Sequence, residues 1–202
     1  MDVRTQILTH ATRLFAEQGY DGTSVQQIAD AVGIRKPSLL YHFKSKDALR
    51  ENVIAEMLAH WNAVLPRLLL KASTDERFDS TMEALTEFFI QDPDRARLFL
   101  RETLDRPQSM RTMLAQFVQP WVELLGSQLE RAKTQGLVRH DVDPAAYAVE
   151  IITMAVAGTA VIDTLSVILP EDPARGDTRS RHARELIRVA RSSLYNTERE
   201  EN

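Results

Sequence analysis

Apolar residues recur at three- and four-residue spacing along most of the chain, and no segment shows the strict alternation of a half-buried strand. Ile7, Leu8, Ala11, Leu14 and Phe15 form one stripe, which predicts a first helix stopped by Gly19 acting as a left-handed cap. Thr23 or Ser24, three residues before Gln26 or Gln27, predicts a capping box opening a second, short helix. Its stripe is Val25, Ile28, Ala29 and Val32, and Gly33 closes it. Pro37 fits the first turn of a third helix, where a missing N–H costs nothing. Leu39, Leu40 and Phe43 share the inward face of that helix, leaving Arg35, Lys36, Ser38, Tyr41 and His42 outside. Ser45 caps a fourth helix, with Asp47 in its first turn, that runs through Leu49, Val53, Met57 and Trp61 until Pro66 bends or ends it.

Five further helices are predicted over about 75–91, 93–105, 108–135 (kinked at Pro120 and stopped by Gly136), 143–169 and 179–196. The fold class is therefore all-α, with about nine helices and no internal repeat. An N-terminal unit of residues 1–50 precedes a larger helical unit of residues 51–202.

Composition narrows the function. The 202 residues contain no cysteine, which excludes a disulfide framework or a Cys-bearing zinc site, and 44% apolar with 27% charged residues is an ordinary globular mixture. The longest nearly apolar stretch, Ile151 to Ile162, has twelve residues and includes two threonines and a glycine. That run is too short to cross a bilayer. The first residues lack a signal-peptide pattern, so the expectation is a cytoplasmic protein with no membrane partner. A Gly-rich phosphate loop, a G-x-S-x-G elbow and an H-E-x-x-H pair are all missing, and His10, His42, His60, His140 and His182 are scattered. Neither an enzyme nor a cofactor or metal site is expected.

Charge is unevenly spread. The net value is −4, yet residues 1–50 hold 7 Lys/Arg against 5 Asp/Glu, while the remainder holds 18 against 24. Between Arg35 and Arg50 stand Arg35, Lys36, Lys44, Lys46 and Arg50 against Asp47 alone. A compact basic face on an acidic protein suits contact with phosphates, although a solvated helix end would also produce it. Two short helices joined at Gly33, the second with a basic and aromatic outer face, describe a helix-turn-helix whose second helix enters the DNA major groove.

Residues 4–50 resemble the DNA-binding domain of the TetR family of bacterial one-component repressors. The resemblance rests on the run from Ala16 to Val25, on Ile28 to Ile34, on Lys36-Pro37-Ser38-Leu39 and on Tyr41 to Leu49. Gly136-Leu137-Val138-Arg139 followed by Asp141 to Pro144 resembles the family's junction between its seventh and eighth helices. Two positions depart from the pattern. Arg35 stands where the family often has a Ser or Thr cap, which predicts a looser helix start, and Leu40 stands where it often has Tyr, which makes Tyr41 the substitute phosphate contact.

The resemblance implies double-stranded DNA as a partner. Backbone contacts would come from Thr23, Ser24, Tyr41, His42 and Lys46, and base-edge contacts from Arg35, Lys36, Pro37 and Ser38; Thr23 and Ser24 could equally be simple caps. It also implies a homodimer. Ala155, Gly158 and Val161 on one late helix, with Leu186, Ile187, Ala190 and Leu194 on the last, have the spacing of a four-helix-bundle interface. A small apolar or amphipathic effector is implied in turn, lined by Trp61, Phe88, Phe99, Met113, Phe117, Trp121 and Tyr147, with Glu102 as polar anchor; each would serve equally as ordinary core. Rival readings are an architectural DNA-binding protein of the same fold without an effector, and a helical adaptor that never touches DNA.

Overall fold

The computed structural model describes residues 2–69, 75–170 and 172–195, without the side chains of residues 69, 75–77, 121 and 173. Among these residues the secondary structure is helical, with no strand. Ten α-helices follow one another: α1 (Val3–Gly22), α2 (Val25–Val32), α3 (Lys36–His42), α4 (Lys46–Leu69), α5 (Asp75–Ile90), α6 (Pro93–Asp105), α7 (Pro107–Phe117), α8 (Gln119–Thr134), α9 (Pro144–Leu165) and α10 (Thr178–Leu194). Short 3₁₀ turns at Ser166–Ile168 and Pro173–Arg175 bridge the last two.

Helix α1 is held by its stripe: Ile7, Leu8, Ala11, Leu14 and Phe15 are all buried, against α2, α4 and α6. Gly19 does not end it as expected. With φ 77° and ψ 169° it breaks the helix, and one more turn runs on to Gly22. The positive φ calls for glycine; an added Cβ there would also crowd the Arg101 guanidinium at 3.2 Å. Helix α2 ends at Gly33 as predicted, with its N–H bonded back to Ala29 and Asp30.

Of the two outcomes expected at Pro66, a bend or an end, the end is not seen: the residue lies inside α4, which continues to Leu69. The segment 108–135 is two helices rather than one kinked helix, which raises the expected nine to ten. Val118 closes α7 and opens α8, where Pro120 occupies the first turn and its missing N–H removes the bond a continuous helix would need. Helix α4 spans residue 50, where the sequence divided an N-terminal unit of residues 1–50 from residues 51–202.

Helix α9 lies among α5, α6, α8 and α10. With the turn after it, Pro144–Ile168 contains an 18-residue window of mean hydropathy 1.9 and is long and apolar enough to cross a membrane by length and composition, which the twelve-residue run alone did not suggest. Only a third of that window is buried, and Val149, Leu165, Val167 and Ile168 are exposed.

Candidate nucleic-acid interface

The N-terminal helices present a single polar face. Helix α2 starts in a complete capping box: the Gln27 N–H donates to Ser24 Oγ at 3.1 Å and the Ser24 N–H donates to Gln27 Oε1 at 2.6 Å. Thr23 beside it is 1% exposed. Its hydroxyl is turned inward, within 2.8 Å of the Gly19 carbonyl and 3.1 Å of the Leu14 carbonyl. The expected phosphate contact from the Thr23 side chain is therefore corrected: the hydroxyl stitches the end of α1 to the start of α2. Ser24 is exposed at the tip.

Helix α3 is seven residues long and seated by Leu39, fully buried, and by Phe43 just beyond it. Arg35 is its N-cap and makes no side-chain capping bond, as its lack of a short acceptor requires. Arg35, Lys36, Pro37, Ser38, Tyr41 and His42 are all exposed on the same short helix. Tyr41 is 86% exposed, an extreme value for a ring of that size, and its edge meets the His42 ring at 5.5 Å. Among the described residues, Arg35, Lys36 and Tyr41 have no side-chain hydrogen bond or ion pair. Lys44, also exposed, adds a cation that the predicted contacts omitted.

The frame behind this face is tied down from three sides. Arg4 donates to Asn52 Oδ1 at 2.8 Å and covers the Phe43 ring, joining α1 to the end of α3 and to α4. Ser45 caps α4, accepting from the Ala48 N–H at 3.0 Å. Tyr20 donates its hydroxyl to Asp47 at 2.7 Å, and Lys46 lies 4.0 Å over its ring. Burial and the neighbouring carboxylate push the Tyr20 phenol up to about 12, so it keeps its proton. Lys46 is half-buried by this stacking, but its charge stays at the N-terminus of α4, three residues past Phe43.

Among the predicted effector residues, Trp61 and Phe99 are in ring contact. Trp61 packs edge-on to Phe89 at 5.2 Å and against Phe99 at 5.1 Å; Phe88 stacks on His60 at 5.5 Å. Met113 and Phe117 lie half-buried against the core, and the Trp121 side chain lies outside the described residues. Glu102 is no free anchor. It is 3% exposed and ion-paired with buried Arg50 at 2.5 Å, a pairing 52 residues apart that no local pattern signals. Tyr147 borders an apolar cavity of about 40 Å³, together with Phe78, Met82, Leu125, Leu129 and Ile151. Its hydroxyl donates to the Ala190 carbonyl at 2.8 Å.

The predicted dimer residues divide. Ala155, Leu186, Ala190 and Leu194 are buried within the single chain, so this part of the expected interface is corrected to intramolecular core. Gly158, Val161 and Ile187 are half-buried. Gly158 is the seat of the His182 ring, which a Cβ would strike at 2.2 Å.

Residues 7–53 match the family described as "Bacterial regulatory proteins, tetR family", and residues 75–189 match "Tetracyclin repressor-like, C-terminal domain". The biofilm operon icaADBC HTH-type negative transcriptional regulator IcaR of Staphylococcus aureus is 31% identical over 93 residues, 46% of this chain and 49% of that protein. The chain thus spans about half the length of this relative. The HTH-type transcriptional repressor DhaR of Mycobacterium sp. (strain GP1) is 26% identical over 144 residues, 70% of this chain and 73% of that one. Among solved structures, the ketosteroid transcriptional regulator KstR2 of Mycobacterium tuberculosis shares the fold with a TM-score of 0.72 at 19% identity, over 96% of both chains. All of these are regulators rather than enzymes, in keeping with the expectation from motifs. With both its N-terminal and C-terminal parts matched, the chain belongs to the TetR family of bacterial regulatory proteins.

Proposed function

We propose that the protein is a sequence-specific transcriptional repressor acting in the cytoplasm as a homodimer on a palindromic operator, released by a small apolar or amphipathic effector. The observation that carries the DNA reading is the exposed Arg35, Lys36 and Tyr41 set, without side-chain hydrogen bond or ion pair among the described residues, on a helix too short to be stable alone and held by its neighbours. Arg35 and Lys36 at the start of α3 are suited to base edges, and Ser24, Tyr41, His42 and Lys46 to phosphates on either side. The relatives' printed roles as a negative regulator and a repressor support repression.

One short recognition helix reads few base pairs, so specificity favours two copies one helical turn of DNA apart, about 34–36 Å. The apolar surface of α9 around exposed Leu165 and half-buried Val161 supports a second chain as its cover. The effector would act through its differential affinity for two spacings of the recognition helices. A second reading, an architectural DNA-binding protein without effector, is favoured by the small size of the Tyr147 cavity: about 40 Å³ against the roughly 300 Å³ or more of typical ligand sites.

Selection of bound duplexes from a random DNA library tests the reading. An inverted repeat with half-site centres about ten base pairs apart is expected. Failure to enrich any sequence would refute it and favour a helical adaptor. Calorimetric titration of the DNA-bound protein with fatty, aromatic and drug-like compounds then separates repressor from architectural protein; heat and DNA release with one class supports the first.

A further inference from the structure

We infer that Arg50 and Glu102 are positioning residues for DNA binding: their buried ion pair sets the register of α4 on α6 and thereby the placement of α3. The inference rests on the DNA-binding reading above. Arg50 lies in the second turn of α4, just behind Lys46 and Asp47, while Glu102 is on α6, across the junction between the two matched regions. Both side chains are more than nine-tenths buried, and the Nη1–Oε2 distance is 2.5 Å. Among the described residues Arg50 Nε has no hydrogen-bond partner; Glu102 is the carboxylate that neutralises this guanidinium, and the Tyr20 ring lies 5.9 Å from it.

The direction of the contact is what matters. Apolar contacts such as Trp61 on Phe99, farther along α4, tolerate sliding because dispersion and burial are non-directional. A buried charge pair tolerates separation poorly, because each ion would be left without solvent or partner. It therefore fixes how far along α6 the first turns of α4 sit. A second strap joins the same elements: the Tyr20 ring is flanked by Lys46 of α4 at 4.0 Å and by Arg106, at the α6–α7 junction, at 4.4 Å, while its hydroxyl holds Asp47. Arg101 of α6 reaches the Glu17 carbonyl at 3.4 Å, next to the break at Gly19. Three polar contacts of α6 and its end thus fall on the frame of the recognition helix, and the ion pair is the buried one.

The test uses the full chain and a duplex taken from the random-library selection, with wild type measured alongside. The variants are Glu102→Gln, Arg50→Lys and the apolar pair Arg50→Met/Glu102→Leu, each with melting temperature and operator affinity measured well below melting. Glu102→Gln should lower the melting temperature and weaken DNA binding at least tenfold. The apolar pair should recover most of the melting temperature while binding remains at least tenfold weak, and Arg50→Lys, which keeps the charge, should bind better than either. Affinity that returns with stability in the apolar pair would overturn the inference and leave the ion pair as packing alone. Should Glu102→Gln not fold, the apolar pair and Arg50→Lys carry the same contrast. Binding by all variants within twofold of wild type also overturns it, whereas absence of binding by wild type would strike the DNA reading itself.

Discussion

At the scale of single residues, neighbours with the same chemistry have been given different work. Thr23 and Ser24 are indistinguishable in the sequence as caps, yet one hydroxyl is sealed against two carbonyls and the other is at the surface. Thr23→Val is isosteric and strands the interhelical contact, so a loss of about 1–3 kcal/mol is expected in chemical denaturation. Ser24→Ala removes an exposed cap and should cost about 1 kcal/mol. A smaller loss for Thr23→Val than for Ser24→Ala would contradict the assignment of the buried hydroxyl. His182 is a second case. Its ring fills the space over Gly158, with Nε2 lacking a hydrogen-bond partner among the described residues, and burial holds its pKa below the ordinary 6.5. The unfolded chain takes up that proton first, so stability falls as pH drops through about 6.5 and is full above it. His60, also lowered by burial and then by Arg95, adds in the same direction. Melting temperature followed from pH 8 to pH 5 should decline on the acid side, and His182→Gln should flatten the decline. An unchanged curve would mean the ring titrates normally.

At the scale of elements, what the sequence made legible was whatever a local rule governs. Stripes, capping residues and glycine stops placed α1 to α4 and most later helices, because periodicity and capping act within a few residues. The misplacements have a common cause: backbone geometry at a single residue decides whether a helix bends or breaks. Pro66 is accommodated within α4, while at Val118 and Pro120 the helix divides into two. Gly19 breaks α1 without ending it, and Gly19→Ala should therefore cost about 1–3 kcal/mol by placing a side chain at φ 77° against Arg101. A melting temperature unchanged or raised would show that the turn can relax. The site divides along the same line. The outer face of α3 could be read from charge and spacing, but the Arg50–Glu102 pair and the intramolecular use of Ala155, Leu186, Ala190 and Leu194 depend on contacts far apart in the chain. An apolar stripe on a helix says that it is covered, not by what.

At the scale of the whole molecule, the basic N-terminal face and the apolar outer side of α9 are two surfaces that a single chain leaves unused. A second copy covering α9 would supply both the buried area and the second recognition helix. Leu165→Glu combined with Val161→Glu should shift the protein to monomer in sedimentation and weaken operator binding sharply; a dimer retained by the double variant would place the interface elsewhere. The claim on which the rest depends is that the face of α3 meets the duplex. The measurement that reaches it most directly is the salt dependence of binding to a selected duplex, compared for wild type and Lys36→Ala/Lys46→Ala. Loss of these cations should make the log–log slope shallower by about one for each lysine removed from each protomer, with weaker affinity throughout. An unchanged affinity and slope would contradict the account, because the charges it assigns to DNA would then face something else.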